Sequence, residues 1–158
     1  MTIRPTLLLP LLLAACTAGV PTDTQPGASG GADALAQVGR WKLQSAADGQ
    51  GRPIAAVLPH GKAVHALVFA EGKLGIEGGC NHIGARYRID GRGRLMVSEI
   101  QSTLMACIDQ DLMTADSAVS ALVEGSSDWS IAESYPEQLS LQHTDGRRSH
   151  WLAVRPSP

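Results

Sequence analysis

Apolar and polar residues alternate through Arg40-Trp41-Lys42-Leu43-Gln44-Ser45, the two-residue period of a strand that packs one face and wets the other. Asp48-Gly49-Gln50-Gly51-Arg52-Pro53 then breaks regular structure, and the segment up to Ala63 reads as a loop. The alternation returns in Ala66-Leu67-Val68-Phe69 and Lys73-Leu74-Gly75-Ile76-Glu77, joined by Glu71-Gly72. This predicts an antiparallel hairpin, which Gly78-Gly79 ends. A second hairpin is predicted from Gly84-Ala85-Arg86-Tyr87-Arg88-Ile89, the turn Asp90-Gly91-Arg92-Gly93 and Arg94-Leu95-Met96-Val97, with Ala85, Tyr87 and Ile89 facing the core.

After Cys107 the spacing lengthens. Leu112, Ala115, Val119 and Leu122 recur at steps of three and four, behind the acids Asp109 and Asp111 and ahead of Gly125, the pattern of an amphipathic helix with an acidic start and a glycine stop. Strand alternation resumes in Asp128-Trp129-Ser130-Ile131, in Leu139-Ser140-Leu141 and, past an Asp145-Gly146 turn, in His150-Trp151-Leu152-Ala153-Val154. The whole pattern predicts an α+β domain, mostly antiparallel sheet built from hairpins, with one principal α-helix after Cys107. Trp41, Tyr87 and Trp151 fall at core positions.

The N-terminal residues follow a different logic. Arg4 precedes the apolar stretch Leu7 to Leu13, which Pro10 interrupts and which leads through Ala14-Ala15 to Cys16. That stretch is far shorter than the roughly 18 to 20 residues of a membrane-spanning helix, and the layout is that of an export signal. Leu13-Ala14-Ala15-Cys16 resembles the lipobox cut just before cysteine, so residues 1–15 are expected to be a lipoprotein signal peptide and Cys16 a lipidated N-terminus. From Thr17 to about Gln37 the chain has no aromatic residue and few groups able to build a core. Residues 16–38 are therefore expected to be a flexible tether spanning on the order of 25 Å, with the folded domain covering residues 39–155.

Composition adds one exclusion. The chain has 13 basic and 15 acidic residues, and loss of Arg4 with the signal leaves 12 against 15, a charge of −3. Such a balance gives no bulk attraction for nucleic acid, which is excluded as a partner.

Two cysteines remain besides Cys16. One lies in Gly78-Gly79-Cys80-Asn81-His82-Ile83-Gly84, with Tyr87 further on, and the other ends Ser102-Thr103-Leu104-Met105-Ala106-Cys107. This pair of blocks before an acidic helix resembles the META domain of the HslJ-like lipoproteins, over roughly Gly39 to Val154. The resemblance implies a small α+β domain, often lipid-anchored or periplasmic, associated with heat-shock or antibiotic-tolerance phenotypes and without an established enzymatic activity. The family motif falls on Gly78, Gly79, Cys80, Asn81, Gly84, Tyr87, Ser102, Thr103, Met105, Ala106 and Cys107.

Read by its residues alone, the first block is a tight turn, because glycine and asparagine tolerate backbone angles closed to other residues. In an exported chain, Cys80 and Cys107 are expected to form a disulfide. Two alternatives use the same residues: a zinc or copper site of Cys80, His82 and Cys107, which lacks an obvious fourth ligand, and thiol-disulfide chemistry, which generally relies on a Cys-x-x-Cys turn absent here. His60 and His65 lack the glutamate of a zinc-protease helix and are assigned loop or surface roles. No Gly-x-Ser-x-Gly elbow or motif-placed carboxylate pair occurs, so no catalytic residue, cofactor or metal is expected.

One surface feature could bind. Arg86, Arg88, Arg92 and Arg94 share parity along the second hairpin and could form a cationic stripe for phosphates or carboxylates, although a solvated strand face diluted by Asp90 has the same appearance. The expectation is a non-catalytic, stress-related or binding lipoprotein of the cell envelope, held by its lipid, with an envelope protein or an anionic envelope component as partner. Thr17 in place of the aspartate linked to inner-membrane retention points to the outer membrane, facing the periplasm. A small-ligand or metal-binding protein and a thiol-disulfide redox protein are the alternatives.

Overall fold

A computed structural model of the chain describes residues 28–155; the signal segment and Cys16 lie outside them. Eight antiparallel strands follow one another round a closed barrel in sequence order, β1 (Arg40–Ala47), β2 (Ala66–Ala70), β3 (Lys73–Glu77), β4 (Ile83–Ile89), β5 (Leu95–Ser102), β6 (Gly125–Ala132), β7 (Gln138–His143) and β8 (Arg148–Val154). The α+β class and the antiparallel hairpins are as expected, but the sheet is no open stack of hairpins: β1 pairs with β8 along Arg40↔Val154 to Ala47↔Arg148, and that ladder closes the barrel. Closure removes both sheet edges.

The interior is filled by side chains. Alternate positions of the strands point inward, and Trp41, Trp151, Leu43, Leu67, Leu74, Leu95, Leu139 and Leu141 are each no more than 2% exposed. An eight-stranded barrel has room inside for little more than its own side chains. Phe69 and Tyr87 meet edge to face, ring centroids 5.0 Å apart, a favoured aromatic geometry.

A helix stands near each end of the barrel. α1 (Ala28–Gln37) corrects two expectations, the tether running to residue 38 and the domain boundary at Gly39. Its Leu35 is wholly buried, the following Val38 is buried too, and the Leu35 carbonyl accepts a 2.9 Å hydrogen bond from the indole of Trp41. The alanine- and glycine-rich sequence hides this helix because the face it packs on the barrel carries Gly31, Ala32 and Ala36 beside Leu35, one large apolar side chain among small ones. Gly31 lies against Trp129 and Ile89; a Cβ there would come within 3.0 Å of the Trp129 ring.

At the opposite end lies α2 (Gln110–Val123), the helix expected after Cys107. Asp109 caps it by accepting from the Asp111 and Leu112 amides at 3.0 and 3.3 Å, satisfying donors that the first turn leaves open. Ala115, Val119, Leu122 and Val123 are buried. At its far end the Arg147 guanidinium, from the β7–β8 turn, donates to the carbonyls of Ala121 and Glu124. The segment between β1 and β2, expected as a loop, makes two short 3₁₀ turns at Ala55–Val57 and Pro59–Gly61 and buries Val57 beside α2. No helix of the described residues is long and apolar enough to cross a membrane.

Candidate functional site

The two motif blocks meet where β3, β4 and β5 approach α2. Gly78, with a φ of 97°, turns the chain out of β3, and a Cβ there would fall 2.0 Å from the Val64 carbonyl oxygen. At Gly79 a Cβ would lie 1.7 Å from Asp116 Oδ1 and 2.7 Å from His65 Nε2. The glycines are therefore required by close approach: Gly78 admits the Val64 carbonyl, and Gly79 admits the Asp116 carboxylate of α2 to the backbone of the turn.

Asp116 is the hub of the polar contacts around that turn. It is 3% exposed, on the buried face of α2. Its Oδ1 lies 2.9 Å from Nε2 of the fully buried His65, while its Oδ2 accepts from the Asn81 amide at 2.7 Å and from the Asn81 side chain at 3.1 Å. The Asn81 side-chain oxygen accepts from Thr103 Oγ1 at 3.1 Å and from the Met105 amide at 2.8 Å, and the His82 amide donates to Thr103 Oγ1 at 3.0 Å. One chain of hydrogen bonds thus joins β2, the Gly-Gly-Cys-Asn turn, the Ser-Thr-x-Met segment and α2. His65 Nδ1 is buried without a partner among the described residues. The surface role assigned to His65 is corrected: the ring enters the barrel end to meet Asp116.

Cys80 and Cys107 are joined in a disulfide, with Cα atoms 6.1 Å apart. It fastens the turn to the loop entering α2. With both sulfurs bonded to one another, no thiolate remains for the Cys80, His82 and Cys107 metal set. That loop still holds Leu104 and Ile108 fully in solvent and Met105 half exposed.

His60 does what the sequence did not indicate. In a left-handed conformation, φ 52°, between Pro59 and Gly61, it places Nε2 3.0 Å from Asp109 Oδ2 and Nδ1 3.3 Å from Asp111 Oδ2. The hydrogen bond donated to Asp109 raises the imidazole pKa above its usual value, and the same bond holds the Asp109 carboxyl below its own. These side chains offer one nitrogen and two oxygens within 4.8 Å of one another, donors of a kind a divalent ion uses. A doubly protonated imidazole satisfies the same two carboxylates.

The arginines divide. Arg86 and Arg88 are exposed on the outer face of β4, and Arg86 Nε donates to Glu99 at 3.0 Å. Arg94 instead folds onto Asp90, its Nε and Nη2 at 3.1 and 3.0 Å from Oδ2, within the turn that Asp90 also closes through the Arg92 and Arg94 amides. The expected four-arginine stripe is therefore corrected: the Arg94 guanidinium is taken up by Asp90, Arg92 lies in the turn beyond the strand with its backbone amide bound to Asp90, and Arg86 and Arg88 share the outer face of β4.

Beside that pair lies a cleft of about 650 Å³ over the outer faces of β3, β4 and β5. Gly75 and Gly84 stand opposite one another in the ladder, so its floor carries no side chain. Lys73, Arg86, Glu99, His82, Gln101 and Ser102 surround it. Glu99 reaches it because β5 is bulged: Glu99 and Ile100 together oppose Ala85, and Glu99 has a φ of 54°, the device by which bulges re-aim a side chain.

Comparisons with known proteins agree with this architecture. A solution structure of a protein from Burkholderia xenovorans is similar over 94% of this chain and all of its own length, with a TM-score of 0.65 at 18% identity. A second solution structure covers 77% of this chain and 94% of its own, with a TM-score of 0.50 at 19% identity. These likenesses establish the fold alone. No curated protein matches the chain. The family model described as META domain matches residues 33–155, taking in α1 from Asp33, the whole barrel and both cysteine blocks, and the chain belongs to the META domain family.

Proposed function

We propose that the chain is a non-catalytic binding protein of the cell envelope, carried on a lipid at Cys16 and facing the periplasm from the outer membrane. One observation carries the reading: the chemistry-bearing side chains of the motif are spent on the fold. Cys80 and Cys107 bond to each other, and Asn81, Thr103, His65 and Asp116 are linked by hydrogen bonds that run from the exposed turn to the buried His65. Each is engaged with another of them rather than poised as a free nucleophile or base. The outer wall of β3–β5, in contrast, presents Lys73, Arg86 and Arg88 to solvent, where a partner meets them without disturbing the core. A disulfide in an export-directed chain supports the oxidising compartment, and the several acyl chains of a lipoprotein provide stable anchoring where one would not.

Fractionation and capture test this together. The wild-type chain is expected with the membranes and the Cys16→Ser chain in the soluble fraction; equally tight membrane association of both removes the anchor. Cross-linking in intact envelopes is expected to capture a partner with the full chain and none after deletion of residues 39–155.

A further inference from the structure

The cleft over the Gly75–Gly84 pair has the composition of a ligand site. Resting on the reading of a binding protein, we infer that it takes an anionic sugar, a pyranose bearing one phosphate or carboxylate. Three features converge on that chemistry.

The first is charge. Lys73 and Arg86 are opposite one another in the ladder, and like charges at directly opposed positions repel. Glu99 engages Arg86 through Nε alone, leaving the terminal nitrogens of the guanidinium free to hold an anion in the forked geometry that arginine favours. Among the described residues Lys73 has no carboxylate partner. With Glu99 offsetting one of these two charges, a single anion between Lys73 and the free guanidinium nitrogens of Arg86 offsets the other.

The second is room. The cleft, about 650 Å³, lies in the range of sites that hold small organic ligands, about 300 to 1,000 Å³, and a bare phosphate leaves most of it empty. The space comes from the glycines: a Cβ on Gly84 would meet nothing within 4 Å, so no packing demand explains the missing side chain. The flat backbone floor gives a sugar ring a surface to lie on.

The third is the polar wall. The Gln101 side-chain carboxamide and the His82 ring make no hydrogen bond among the described residues, and the hydroxyl of Ser102, which donates to the Thr103 carbonyl at 3.0 Å, keeps its acceptor capacity. Together with Glu99 they supply the mixture of donors and acceptors that sugar hydroxyls require and a lone anion does not.

The full chain is titrated with glucose 6-phosphate, glucuronate, glucose, inorganic phosphate and phosphatidylglycerol vesicles, followed by backbone amide shifts. At least one charged sugar is expected to shift the amides of Lys73, Gly75, Gly84 and Gln101 saturably, about tenfold more tightly than glucose or inorganic phosphate. Gly84→Val fills the floor without removing a charge, and Lys73→Gln and Arg86→Gln remove charge without filling it; each is expected to weaken binding by about tenfold or more. An unchanged circular dichroism spectrum for Gly84→Val assigns its loss to the cleft. Inorganic phosphate binding as well as the sugars, vesicle binding without sugar binding, or full affinity in Gly84→Val overturns the inference. So does failure of both charged sugars, and if the envelope capture still succeeds in that case, the cleft falls while the broader binding role stands.

Discussion

Asp116 is an acid on the inner face of an amphipathic helix, a position where an unpartnered carboxylate would be prohibitive. It is tolerated because three donors converge on it. Removing it by Asp116→Ala leaves His65 and both Asn81 donors unsatisfied, and a buried donor stripped of its partner costs about 1 to 3 kcal/mol; urea unfolding should show a loss of at least that size. The glycines give a paired prediction. Gly79→Ala drives a methyl into the carboxylate and is expected to cost about 2 kcal/mol or more, whereas Gly84→Ala, with nothing within 4 Å of its Cβ, should change stability by no more than about 0.5 kcal/mol. Equal losses at the two glycines would mean that close approach is not what Gly79 serves.

Among the elements, the disulfide between the β3–β4 turn and the loop entering α2 closes a segment whose ends are 27 residues apart. Constraining that loop in the unfolded chain stabilises the fold by about 3.5 kcal/mol. Reductant, or Cys80→Ser with Cys107→Ser, is therefore expected to lower Tm by on the order of 10 °C. A melting point that does not move would show that the turn and α2 are already held by Asn81 and Asp116 alone. At this scale much was legible in advance. Alternation located the strands, and the three-four spacing of Leu112, Ala115, Val119 and Leu122 located α2. What alternation does not encode is which strand pairs with which, so the Arg40↔Val154 closure could not be read from it. α1 escaped because its burial rests on Leu35 among alanines and glycines. The site was half legible: paired motif blocks marked Cys80, Asn81, Thr103 and Cys107. The His65–Asp116 contact spans 51 residues and carries no motif, although an acid at position 116, between the buried positions of a helix, is a signal in itself. The cleft was missed because glycines at 75 and 84 become a floor only once β3 and β4 are in register.

Across the whole molecule, the end of the barrel under α2 is expected to respond to acid. His143 is 3% exposed there, and neither ring nitrogen has a partner among the described residues. Burial, reinforced by the nearby Arg147 charge, pushes its pKa down to about 4. The folded state thus keeps the ring neutral while the unfolded state protonates it near the ordinary value of 6.5. Between those two values the unfolded chain binds more protons, so stability is full above about pH 6.5 and declines as pH falls towards 4, by about 3 kcal/mol from this residue. Chemical denaturation across that window should show the slope in the wild type and a flatter profile in His143→Leu. A slope unchanged by the substitution would assign the acid sensitivity to other groups.

The β1–β8 ladder has a further implication for when the protein acquires its shape. The first strand of the barrel finds one of its two neighbours only after the last strand has been synthesised, since Arg40 pairs with Val154 and Ala47 with Arg148. Contacts between residues so far apart in the chain form late and slowly. A nascent polypeptide lacking the final strand has two unsatisfied sheet edges and should remain open to protease, becoming resistant only on completion. Such a chain is expected to emerge from the ribosome still threadable, which is the state that the proposed export to the envelope requires.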